Sequence, residues 1–105
     1  MPVKKNSTKI AASKSPTKVA LPFAVGDKIL VRTVTMMDVG RVKAIGEDFL
    51  VLEDGGWVAD SGRFSEALAT GRLNEFEQAP SWFLVNMGAI VEIFPWAHDL
   101  PQTTK

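Results

Sequence analysis

Between Lys28 and Glu53 lie three short apolar runs, each cut off by a turn signal, and they constrain the fold more than any other feature. Lys28–Thr35 (KILVRTVT) alternates, with Ile29, Val31, Thr33 and Thr35 on one side and Lys28, Leu30, Arg32 and Val34 on the other. Val39–Ile45 alternates again, and Gly40 inside it predicts a bulge or a sharp bend. Phe49–Glu53 (FLVLE) reads as a buried strand. Met36-Met37-Asp38 and Gly46-Glu47-Asp48 supply the connections. Segments this short and this rich in β-branched residues favour antiparallel strands over helices.

Further along, Asp54-Gly55-Gly56 reads as a turn and Trp57-Val58-Ala59 as a brief strand. The period then changes. Asp60 and Ser61 offer an N-cap, and Phe64, Ala67 and Leu68 fall at i, i+3 and i+4, predicting a helix over Arg63–Thr70. Glu66 suits the positive end of its dipole, and Gly71 is a natural residue just past its end. A helix of about two turns is not stable alone, so it must pack against the sheet. Leu73–Phe76 is a further short strand; Trp82–Asn86 and Ala89–Phe94, joined by Met87-Gly88, are the last two main strands. These elements predict a mainly β domain, a small five-stranded barrel or else a strongly bent sheet, with one short helix in the insertion 55–81 between strands 3 and 4. The domain spans 23–97, preceded by a flexible basic arm, 1–22, and followed by a tail, 98–105.

The zero net charge conceals an asymmetry. Lys4, Lys5, Lys9, Lys14 and Lys18 stand among the first twenty residues without an acid, a local charge of +5, and the rest of the chain carries −5. Pro2, Pro16 and Pro22 interrupt the arm, which has neither helical nor strand periodicity and too little apolar area to offset its ordering entropy. It also lacks the apolar segment of a secretory signal, so a cytoplasmic or virion location is expected rather than secretion. Such an arm suits an acidic protein surface or nucleic acid.

Composition narrows the chemistry. The 105 residues contain no Cys and one His, which excludes disulfide scaffolds, thiolate metal sites and Cys nucleophiles and leaves His98 as the sole neutral-pH base. No nucleophile is spaced to partner His98, and a surface or assembly contact is expected for it. Glu53, Asp54 and Asp60 lack the spacing of a calcium loop, and no glycine pattern matches a phosphate or dinucleotide loop. Asp60-Ser61-Gly62-Arg63 reads as a helix cap with Arg63 paired to Glu66. No catalytic residue, metal, cofactor, small-molecule substrate or membrane span is expected. Apolar residues nevertheless make up 46% of the chain, enough for a packed core.

The body resembles the Sm-like small barrels, ring-forming proteins associated with RNA. One signature of that family follows the order KILVRTVT, then Gly40-Arg41-Val42-Lys43-Ala44-Ile45, then Phe49-Leu50-Val51-Leu52-Glu53-Asp54; a second follows Val85-Asn86-Met87-Gly88-Ala89-Ile90-Val91-Glu92-Ile93. The resemblance implies the barrel and assembly into oligomers. It does not bring RNA recognition with it: the family's Asn after the second strand is missing from Gly46-Glu47-Asp48, and Met87 stands where the family has a basic residue. Gly56–Phe64, with Ala67-Leu68 and Gly71, is also similar to uncharacterised small proteins of bacterial and phage genomes.

Three Trp and no Tyr make Trp57, Trp82 and Trp96 interface candidates, since Trp is enriched in interface anchors, with a core place expected for at least one of them. Trp82 and Trp96 follow prolines at strand ends, where barrel rims lie. Met36, Met37 and Met87 fall at predicted turns, where exposed apolar groups suit a partner, and Phe64 joins them. The function expected is that of a non-enzymatic structural protein that forms homo-oligomers, as a phage virion component attached to capsid or tail. The alternative is a nucleic-acid-binding module that uses the five arm lysines.

Overall fold

The computed structural model describes residues 21–103, so the five arm lysines and almost all of the predicted arm lie outside the described residues. Six antiparallel strands follow in chain order: β1 (Lys28–Thr33), β2 (Met37–Ile45), β3 (Phe49–Asp60), β4 (Glu75–Gln78), β5 (Phe83–Asn86) and β6 (Ile90–Pro95). A helix, α1 (Phe64–Thr70), lies between β3 and β4, and one 3-10 turn, η1 (Met87–Ala89), joins β5 to β6. The sheet runs β4-β3-β2-β1-β6, and β5 pairs with the first half of β3.

β3 is a single twelve-residue strand, where the sequence predicts a strand, a turn and a second strand. Asp54, Gly55 and Gly56 form a bulge inside it. Across the gap the register on β2 slips from Arg41↔Glu53 to Val39↔Gly56. Asp54 takes the left-handed backbone region at φ 57°. A Cβ on Gly55 would collide with the Val39 carbonyl, and one on Gly56 with the Glu77 carbonyl. The two glycines therefore let β2 and β4 approach both edges of β3 at its bend. The bend divides the outer edge of β3: Phe49–Leu52 pair with β5, and Gly56–Asp60 pair with β4.

The predicted closed five-stranded barrel is corrected to an open six-stranded sheet. Among the described residues β5 and β6 do not pair with each other. A two-residue hairpin would bring them side by side. Here η1 intervenes, with the Asn86 Oδ1 accepting from the Gly88 amide at 2.8 Å, and it redirects the chain so that β5 joins β3 and β6 joins β1.

Both faces of the sheet are covered. Ile29, Leu30 and Val31 are consecutive and all essentially buried, so alternation sends apolar groups into two separate cores. On one face Ile29, Val31, Val42, Leu50, Leu52 and Val85 form a cluster. On the other face Leu30, Val39, Val58, Phe76 and Trp96 form a second. The predicted insertion builds this second core: α1 contributes Phe64, Ala67 and Leu68, β4 contributes Phe76, and the tail adds Leu100. Phe64 meets Phe94 edge-on, centroids 5.1 Å apart.

The helix matches its predicted span closely but is capped differently. Arg63 occupies the N-cap with no side-chain cap. The Asp60 Oδ1 instead accepts from the Gly62 amide at 2.9 Å, closing a turn ahead of the helix. The Arg63–Glu66 pair forms at 4.0 Å on the exposed face. Gly71, at φ 79°, ends the helix and donates to the Ala67 carbonyl.

Candidate functional site

Among the described residues no group of three or more His, Cys, Asp or Glu that could hold a metal ion is present. What the fold exposes instead is strand edge and aromatic surface. Among the described residues β4, β5 and β6 each have one edge unpaired by another strand. Alternation turns Val85 inward to the core and Leu84 outward on β5, leaving Leu84 54% exposed. Val91 on β6 is similarly 52% exposed. Beside β6 runs a groove of about 730 Å³, walled by Leu21, Pro22 and Phe23 on one side and Ile90, Val91 and Ile93 on the other.

The three Trp residues separate. Trp82, just before β5, is 58% exposed, and Trp57 on β3 is 40% exposed. Trp96 is 3% exposed and lies in the second core, its indole N–H donating to the Asp99 carbonyl at 3.1 Å, so it offers no surface to a partner. The methionines separate too. Met36 is exposed, whereas Met37 packs against the second core and Met87 against the first. Phe64 is half-buried in the α1 contact.

Trp57 belongs to a row set by strand register. Ile93, Val31, Asp38, Trp57 and Glu77 are successive partners across β6, β1, β2, β3 and β4. Asp38, Trp57 and Glu77 line a cavity of about 410 Å³ together with Pro80 and Phe83. Burial between apolar neighbours raises the Asp38 pKa to about 6, because its charged form is poorly solvated there. A second hollow, about 350 Å³, adjoins the other side of Trp57 and is lined by Val34, Thr35 and Met36.

The single histidine has a structural partner. His98 Nε2 donates to the Leu68 carbonyl at 2.8 Å, and the ring meets Trp96 edge-on at 5.3 Å. It fastens the tail to α1.

Sequence reading missed Asp38, Glu77, Leu84 and Val91. Asp38 is placed in a connection by the sequence pattern but sits in β2. Leu84 and Val91 carry no local signal: Phe83-Leu84-Val85 and Ile90-Val91 are unbroken apolar runs, and only strand pairing decides which of their side chains is covered. Comparison with family models, curated proteins and solved structures finds no match. Among the described residues no helix is long and apolar enough to cross a membrane.

Proposed function

We propose that this chain is a non-enzymatic structural protein that assembles with copies of itself, as a component of a phage particle. The observation that carries the reading is the pair of edges on β5 and β6 left unpaired among the described residues, each strand exposing a large apolar residue, Leu84 or Val91. Unpaired edges expose backbone donors and acceptors, and monomeric proteins commonly protect them with charge, proline or a covering loop. An antiparallel contact between β5 of one copy and β6 of another would satisfy both edges and cover both side chains. Trp82, immediately before β5, would extend that contact. The basic segment 1–20 would lace onto the acidic body of a neighbour. The place in a phage particle is suggested only by the resemblance of Gly56–Phe64, with Ala67-Leu68 and Gly71, to uncharacterised small proteins of bacterial and phage genomes.

Light scattering on the full chain and on a chain lacking residues 1–20, at low and high salt, tests the reading. A multimer of defined mass that weakens without the segment is the expected result. A mass of 11.4 kDa under every condition overturns it. The nucleic-acid alternative predicts tight, steeply salt-dependent DNA or RNA binding that disappears with residues 1–20.

A further inference from the structure

Residues 21–103 hold six cations against twelve acids. Four of the six cations are already paired: Arg32 with Glu92, Arg41 with Asp54, Lys43 with Glu53 and Arg63 with Glu66. Lys28 donates to the His98 carbonyl at 2.6 Å, and Arg72 lines a separate cavity beside α1. Asp38 and Glu77 thus flank Trp57 in a cavity with no cation paired to either among the described residues. The only other cations in the chain are Lys105 and the five lysines of residues 1–20.

We infer that the cavity between Asp38, Trp57 and Glu77 receives a lysine side chain from segment 1–20 of a neighbouring copy. This rests on the assembly reading and locates its arm contact. The chemistry of the walls selects an ammonium on an apolar stem. Two carboxylates and an indole attract the charge, while Pro80 and Phe83 supply apolar surface for the methylenes. The volume, about 410 Å³, exceeds a butylammonium group and admits part of the flanking chain. Lys9-Ile10 and Lys18-Val19 place an apolar residue next to the cation, matching the exposed Val34 and Met36 beside Trp57. The chain's own entry at Leu21 lies along β6, whereas the cavity opens over β2, β3 and β4.

Zero-length carbodiimide coupling of the full chain tests this, using an equal mixture of isotopically heavy and light protein followed by peptide mapping. The reagent joins only lysines and carboxylates already in contact, taking up the water released as the amide forms. Expected are heavy–light cross-links from a lysine of residues 1–20 to Asp38 or Glu77. Trp57→Leu, at an exposed position, should lower their yield about threefold with the circular dichroism unchanged. Heavy–light cross-links from the arm to other acids alone, such as Glu47 or Asp48, overturn the cavity while leaving assembly intact. Cross-links confined to single copies in a multimeric sample overturn the neighbour's role. A monomeric mass with no heavy–light product removes the assembly reading and this inference with it.

Discussion

Asp38 sits between Val31 and Trp57 in the register of the sheet, and Glu77 is the other carboxylate in its cavity. With a folded pKa of about 6, above the ordinary 3.8, the folded chain holds this proton more tightly than the unfolded chain. Stability from this group is therefore greatest at low pH and declines as pH rises from about 4 to about 6. Asp38→Asn should raise stability by about 1 kcal/mol at pH 7.5, a figure reduced for the residue's partial exposure, and by almost nothing at about pH 2.5, below both pKa values. Urea unfolding of dilute protein in high salt, where attraction from the arm is screened, measures the difference. The indoles offer a sharper contrast. Trp96→Ala empties the second core and should cost about 3–5 kcal/mol, whereas Trp82→Ala should alter the unfolding midpoint little and lower only the associated mass.

Elements divide into those that close the fold and those that leave it open. β1 is paired on both edges and buried on both faces; among the described residues β5 and β6 are each paired on one edge only. Leu84→Lys and Val91→Lys place a charge on those edges and should shift the solution mass toward the monomer. Each should change unfolding free energy by less than about 0.5 kcal/mol, as for other surface substitutions. The end of α1 behaves oppositely. Gly71 combines a left-handed backbone with His98 carbon atoms 2.6 Å from where a Cβ would stand. Gly71→Ala should cost more than about 1 kcal/mol, read by thermal unfolding, because strain adds to displacement of the His98 ring.

At the scale of the whole molecule, the tail fastens α1, β1 and β4 around the second core. Lys28 Nζ donates to the His98 carbonyl, the Trp96 amide donates to the Lys28 carbonyl, and the Gln78 amide donates to Thr103 Oγ1. These bonds link β1, β4 and the tail, which also supplies Leu100 to the second core. Removing residues 98–105 should broaden and lower the thermal transition, since α1 would lose its His98 contact and Trp96 part of its cover. The charge split acts on the same scale. If segment 1–20 docks on the acidic body as proposed, then above about 0.5 M salt, where screening is short-ranged, the mass should fall toward that of the chain lacking residues 1–20.

Local chemistry makes much of the fold legible in the sequence. The alternation of Lys28–Thr33, the β-branched run at Val39–Ile45 and the helical spacing of Phe64, Ala67 and Leu68 depend on near neighbours alone, so strand and helix could be read from them. The candidate site was half legible: Trp57, Trp82 and Met36 stand exposed, but Trp96, Met37 and Met87 pack inward. Nothing local distinguishes one Trp from another; burial depends on what the rest of the chain lays over it. Asp54-Gly55-Gly56 shows the same division. Its backbone freedom serves a turn or a bulge equally well, and only β2 and β4 closing on either side of it made it a bulge. The sequence by itself determined where strands and helix form. Tertiary structure decided that the sheet stays open, that the insertion builds a second core, and that Asp38 meets Trp57, because each depends on register between segments far apart in the chain.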